Sequence, residues 1–260
     1  MFKQTVALKH DEHADLKILE TNNYAYAREI LLAPIVVSEI ADVAREFPIV
    51  FPINEAKLPC ALMGLETGRN AYVDAQGQWQ ANYIPAHIRR YPFILAHMEN
   101  LDDGDTRYMI AFDPDAPQLN ASNGHAVFAP DGALSGHMQR RMKLLEEIQR
   151  AMPVTRRMVE ALDAAGLLVE RVITLSRDGK PVHQIKGMRA VDEAKLNAMS
   201  HEDFAQLRDQ GVLPLIYAHL LSWANLRQGP LAGKYTRSPD ASAPSAADGS
   251  DFLFNDDRVF

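Results

Sequence analysis

The chain has 260 residues, 47% hydrophobic and 23% charged, with a net charge of −7 and a single cysteine, Cys60. A chain of this length buries roughly 75% of its unfolded surface without covalent staples, one thiol excludes an intrachain disulfide, and the acidic balance opposes broad nucleic-acid binding. No apolar leader opens it, and its longest apolar run, "GVLPLIYAHLLSWANL", falls short of a membrane span and carries His219 and Ser222, so the expectation is a cytoplasmic protein without a transmembrane segment.

In chain order, His10 and His13 come first, three apart in "HDEH". One helical turn puts both imidazoles on one face and makes them a weak metal candidate, but the spacing that adds a base is missing. "VSEIADVAREF" sets Ile40, Val43, Ala44 and Phe47 at helical intervals, with Ser38 as N-cap and Pro48 as stop. "PIVFPI" and "CALMGL" read as short apolar strands, and Cys60 in the second reads as a buried, inert thiol. "NAYVD" and "QWQANYI" flank "DAQG", a hairpin signal in which Gly77 takes positive φ. Trp79, Ala81 and Tyr83 then share one face of a half-buried antiparallel strand. Pro85 starts a short helical turn, "AHIRRY", which Pro92 ends.

Asp102, Asp103 and Asp105 cluster beside Gly104, and Asp113 and Asp115 flank Pro114; both read as solvated turns. The hairpin grammar recurs in "AVFAPDGALSG" and in "VITLSRDGKPVHQI". "HMQRRMKLLEEIQRAM" spaces Met138, Met142, Leu145, Ile148 and Met152 as one helical face, broken by Pro153; "TRRMVEALDAAG" forms a second helix that Gly166 stops. The basic residues Arg140, Arg141, Lys143, Arg150, Arg156 and Arg157 are interleaved with Glu146, Glu147 and Glu160, a pattern of i, i+4 pairing on a solvated surface. "VDEAKLNAM", then "SHEDFAQLRDQG" capped by Ser200 with Asp203, and finally "PLIYAHLLSWANLRQ" are helices; His219 on the last reads as a hydrogen-bonded core residue.

These elements predict an α+β fold: a largely antiparallel sheet with hairpins in the first two thirds, and helices from the second half packed on it. One domain covers 1–234, with a possible subdivision near residue 135. A small, polar, proline-bearing stretch over 235–250 is a flexible linker, and 251–260, with three phenylalanines, is a tail that docks on its own domain or on a partner.

Chemical signatures are missing. There is no G-x-S-x-G elbow, no phosphate loop and no dinucleotide fingerprint, so no cofactor is expected and the balance leans away from an enzyme. The stretch "WQANYIPAHIRRYPF" stands apart. Trp79, Tyr83, Tyr91 and Phe93 are placed to pack into a rigid corner, from which Arg89 and Arg90 project planar donors toward a carboxylate or phosphate. Arg89, Arg90, Trp79 and Tyr83 are the candidate partner- or anion-binding residues.

The run "LPCALMGLETGRNAYVDAQGQWQANYIPAHIRRYPFILA", and the later "LSRDGKPVHQIKGMRAVDEAKLNAMSHEDFAQLRDQGVLPLIYAHLLSWANL", resemble the SapC family of bacterial proteins, up to about residue 230. The resemblance implies association with surface-layer loci or with loci for outer-membrane uptake receptors, and it brings no catalytic residues. Two expectations follow. The first is a non-enzymatic accessory protein of such a system, binding a protein or peptide partner. The second is a metal-dependent enzyme that modifies a peptide or small molecule, its site assembled from dispersed acids and histidines such as His10, His13, His87 and His183.

Overall fold

The computed structural model describes residues 1–53, 57–97, 107–120, 122–177 and 180–235. The acidic turn at Asp102, Asp103 and Asp105, the chain from residue 236 onward and the side chain of His183 lie outside the described residues.

Strand β1 (Val6–Ala7), helix α1 (His10–His13) and strand β2 (Lys17–Ile18) lead to β3 (Leu32–Pro34), α2 (Ile40–Glu46), β4 (Ile49–Pro52) and β5 (Cys60–Leu62). Then come α3 (Ala86–Arg89), β6 (Phe93–His97), β7 (Tyr108–Phe112), β8 (Leu119–Asn120), β9 (His125–Ala126) and α4 (Gly136–Ala164). The hairpin of β10 (Leu168–Arg177) and β11 (Lys180–Val191) precedes α5 (Glu193–Asn197), α6 (His201–Asp209), α7 (Leu213–Ser222) and α8 (Pro230–Tyr235).

All strand pairings among the described residues are antiparallel, and the fold is α+β. The largest sheet has the order β10-β11-β4-β5-β3; smaller sheets run β1-β7-β6 and β8-β2-β9. The two longest strands come from 168–191, late in the chain, so the sheet is not confined to the first two thirds. The main core gathers Phe47, Ile49, Phe51, Leu62, Met63 and Tyr72 from the early strands and loops with Leu162, Leu215 and Ile216 from the helices. A second cluster joins Ile18, Phe93, Phe112, Val127, Met138 and Leu145. No described helix is long and apolar enough to cross a membrane.

His219 locks α7 to the sheet. Its Nδ1–H donates to the Ile49 carbonyl at 2.8 Å, and its Nε2 accepts from the Val191 N–H at 3.0 Å. One neutral ring thus satisfies a polar group on β4 and another on β11, which in an apolar interior would otherwise each be costly to leave unpaired. Ser222, one turn on, accepts from the Ile49 N–H at 2.8 Å and donates back to the His219 carbonyl at 2.6 Å. Burial pushes the His219 pKa down to about 4.

Three local expectations are corrected. Pro153 does not break its helix: α4 runs through it from Gly136 to Ala164. Proline forfeits one ladder bond, but packing holds the helix on both sides of it. Ile148 packs with Val36 and Ala86 before the proline, and Met158, Val159 and Leu162 enter the main core after it. Thr155 bridges the weak point, donating to the Ala151 carbonyl at 2.8 Å and accepting from the Val37 N–H at 2.9 Å.

Ser38 does not cap its helix either. A 3₁₀ turn over Val37–Glu39 precedes α2, and the Glu39 carboxylate reaches back to accept the Val36 N–H at 3.2 Å.

The segment after Gly77 (φ 83°) turns as expected but forms no strand; Val73 and Trp79 make a single bridge. The Asp74 carboxylate accepts from the Gln76 and Gln78 N–H groups and from the Gln80 side chain. The Asn82 N–H bonds the Glu46 carboxylate. Side chains thus take the Gln78 and Asn82 donors, while the Gln80 N–H still bonds the Tyr72 carbonyl at 2.9 Å, so the two arms touch without forming a ladder. Trp79, Ala81 and Tyr83 still pack against the core, so the buried face survives without the strand.

Two further readings change: Asp113 is not solvated but fully buried, its carboxylate accepting from the Lys3 N–H at 3.0 Å and the Tyr91 hydroxyl at 3.2 Å, and "AVFAPDGALSG" closes with the single bridge Phe128–Leu134. Two other signals hold. Ser200 caps α6, accepting from the Asp203 N–H at 3.0 Å and donating to its carboxylate at 2.7 Å. Cys60 is buried and its thiol is pushed up to about 12 by desolvation.

Two outcomes are expected. Thr155→Val leaves the Val37 N–H without its acceptor and costs about 1–3 kcal/mol in urea unfolding. His219 has a native pKa near 4 against an ordinary 6.5, so protons bind the unfolded chain preferentially. Its contribution, on the order of 3 kcal/mol, is complete above pH 6.5 and is lost as pH falls toward 4. Over that window the parent loses stability more steeply than His219→Gln, by up to about 1.4 kcal/mol per pH unit.

Candidate functional site: an arginine-lined cleft

The site grows from Glu39. Only 5% exposed, its carboxylate accepts from the Val36 N–H, from the Ala86 N–H at 2.8 Å and from the Tyr83 hydroxyl at 2.8 Å. Burial raises its pKa, and these three donors oppose that shift. Pro85 sets the backbone that starts α3, so the Ala86 N–H is free of the helix ladder and meets Glu39.

The next link is Arg89, at the end of α3. Its Nη2 donates to the Tyr83 hydroxyl at 3.1 Å, its Nε donates to the Ile84 carbonyl at 2.8 Å, and its guanidinium lies 5.5 Å from the Tyr83 ring centre. Arg89 is therefore exposed but held in place. Trp79 sits behind it, donating from Nε1 to the Tyr83 carbonyl at 2.8 Å. A row of rings runs on from there: Trp79 against Tyr24 (5.6 Å), Tyr24 against Tyr26 (6.0 Å), Tyr26 stacked on Tyr91 (4.6 Å), and Tyr91 edge-on to Phe2 (5.1 Å).

Arg90 does not project outward beside Arg89. It is half-buried, its buried Nε has no hydrogen-bond partner, and its guanidinium lies 5.8 Å from the Phe2 ring centre. Burial lowers its pKa. Consecutive residues on a helical turn point about 100° apart, which separates the directions in which Arg89 and Arg90 leave the backbone.

Arg89 instead shares a cleft with Arg141. A cleft of about 390 Å³ of open space, solvent at its mouth included, lies between them. Tyr24, Tyr26 and Gln118 form its walls, with Leu19 and Thr21 at one side. Arg141 comes from α4, two turns before Ile148 anchors that helix, and burial lowers its pKa. Tyr26 donates to the Ile88 carbonyl at 3.3 Å, and burial raises its pKa, as it does that of Tyr24, so both phenols keep their protons. The Gln118 side-chain oxygen is buried without a partner. Among the described residues no carboxylate lines the cleft itself, and a charge of opposite sign, Glu20, acts on Arg141 from beside it. Two arginines and protonated hydroxyls lining one hollow suit an anion.

The sequence-derived candidates thus separate. Arg89 lines the cleft, Tyr83 holds Arg89, Trp79 braces Tyr83, and Arg90 sits apart. Arg141, Tyr24 and Tyr26 were not singled out as binding residues. "NNYAYAR" carries no motif, and Arg141 looks like one of many cations on a solvated helix. His10 lies edge-on to Phe128 and His13 to Phe112, 5.1 and 5.0 Å away. His87 is driven down to about 3 by burial, by Arg90 and by the N-terminal amino group, so it is neutral. One turn before Arg141 on α4 stands His137, near Glu20 and His125; these are the three described residues whose donor atoms lie close enough together to share a metal ion.

A family model described as SapC matches residues 8–228. No curated protein and no solved structure matches the chain.

Glu39→Ala removes the acceptor shared by Tyr83, Ala86 and Val36. It is expected to cost about 3 kcal/mol or more in denaturant midpoint analysis, and Glu39→Gln less, because the amide oxygen still accepts.

Proposed function

The chain belongs to the SapC family, and on that footing we propose that it is a binding protein that captures the acidic end or side chain of a protein or peptide partner in the Arg89–Arg141 cleft. The observation that carries this reading is that Arg89 and Arg141, from the separate elements α3 and α4, line one hollow that has no carboxylate among its lining residues. The rest of the chain is acidic, with a net charge of −7, so a local cationic hollow is a selective place for an anion. The enclosed part of the hollow is only about 100 Å³, below the roughly 300–1,000 Å³ of small-molecule pockets, so what it can seat is a single small anionic group such as a carboxylate and not a whole ligand.

Arg89 supports specificity. Held by Tyr83 and Ile84, its fork loses little further freedom on binding, which favours affinity. The accessory role in a surface-layer or outer-membrane uptake system, exercised inside the cell, is the setting that the family resemblance implies for this capture.

Titration of the full chain with glutarate and with inorganic phosphate, followed by calorimetry at low ionic strength, tests the reading. Arg89→Ala and Arg141→Ala are each expected to weaken binding by about 10-fold or more, as loss of a charged hydrogen bond does, and added salt weakens it further. Arg140→Ala, on the exposed side of the same helix, leaves it unchanged. Equal binding by the parent and both cleft variants would refute the cleft.

A further inference from the structure

Beside the cleft, Glu20, His125 and His137 bring one carboxylate and two imidazoles to within 4.8 Å of one another. They come from different parts of the chain. Glu20 follows β2, His125 is on β9, which pairs with β2, and His137 is in the first turn of α4. The register Ile18↔His125 sets Glu20 and His125 near one another, and Ser135, as N-cap of α4, sets where His137 points.

The geometry points to a binding site for a divalent transition-metal ion, zinc or a neighbour in the same row, held by Glu20, His125 and His137. Ligands at about 2.0–2.2 Å around a tetrahedral ion stand roughly 3.3–3.5 Å apart. Glu20 Oε1 is already 3.3 Å from His137 Nδ1 and 3.8 Å from His125 Nε2. Imidazole nitrogen selects zinc, copper, nickel or iron over calcium and magnesium, which prefer oxygen alone. Three protein ligands leave a fourth position for water or a ligand atom.

A second observation supports the site. The His137 side chain is 10% exposed, and its Nδ1 is buried with no hydrogen-bond partner. The carboxylate oxygen 3.3 Å away is near enough for a hydrogen bond but misaligned for one. A buried ring nitrogen is seldom left in this state, and a cation beside it satisfies nitrogen and carboxylate together.

Two adjustments accompany binding. The His125 and His137 rings now stack, 4.5 Å apart and 9° from parallel, so their lone pairs do not converge. The His125 side chain is 54% exposed and makes no hydrogen bond among the described residues, so its ring rotates at small cost. Arg141 Nε donates to His137 Nε2 at 3.3 Å. Ligation through Nδ1 moves the ring proton to Nε2 and releases Arg141 from that contact. The site does not rest on the anion reading, because these donors hold a cation whether or not the cleft takes an anion.

The experiment is a zinc chloride titration of chelator-treated, dialysed full-length protein, read by calorimetry and by the visible absorption of a cobalt(II) form. One ion per chain is expected. Glu20→Gln and His125→Gln, both at exposed positions that leave the fold intact by circular dichroism, each weaken zinc by more than the roughly 10-fold cost of losing a supporting contact. His137→Gln does the same, and the double change His10→Gln, His13→Gln has no effect. Absence of stoichiometric zinc binding, or zinc affinity in Glu20→Gln and His125→Gln unchanged from the parent, overturns the site.

Discussion

A buried carboxylate with three donors organises this molecule. Glu39 closes the 3₁₀ turn before α2 by accepting from Val36, starts α3 by accepting from Ala86, and orients Tyr83. An ionised carboxylate leaves water only where hydrogen bonds replace its hydration. Each of its partners therefore has little freedom to move away. Through Tyr83 the constraint reaches Arg89, which becomes a surface cation with interior rigidity. The corner of aromatic rings around it supplies bulk, while Glu39 supplies direction.

The long helix α4 is the second organising element. Its first turns carry His137 and Arg141, its middle packs on Val36 and Ala86, and its end enters the main core. Continuity through Pro153 matters for this, because two independent helices would leave the position of Arg141 relative to α3 set by a hinge. Thr155 couples the helix to the same 3₁₀ turn that Glu39 closes. The two arginines of the cleft are thereby referred to one small region of backbone between Val36 and Glu39.

The chain belongs to the SapC family. The anion capture proposed for the cleft needs guanidinium forks and phenols but no nucleophile or acid–base pair. The group of Glu20, His125 and His137 adjoins the cleft through the contact between Arg141 and His137. A cation there and an anion in the cleft would share a residue, which is a physical route for one to affect the other.

Much of this was legible in the residues. Period marked α2 and α7, period with the Ser200 cap marked α6, the turn residues marked the 168–191 hairpin, and the apolar context of Cys60 and His219 marked both as core. Local physics sufficed there because the deciding interactions lie within a few residues. Pro153 was misread because a proline's cost is local while the packing that outweighs it comes from Val36, Ala86 and the main core. The strand after Gly77 was misread because Asp74 and Glu46 side chains took the backbone donors of Gln78 and Asn82. Arg89 was visible as part of a dense motif, but Arg141, which lines the same cleft, is distant in sequence, and Arg90 was turned inward by one step of a helix. Glu20, His125 and His137 follow no spacing rule at all. The sequence by itself determined the elements, the core and the family; only the tertiary structure decided which charges face one another, because that depends on how separate elements pack and not on the order of residues within any of them.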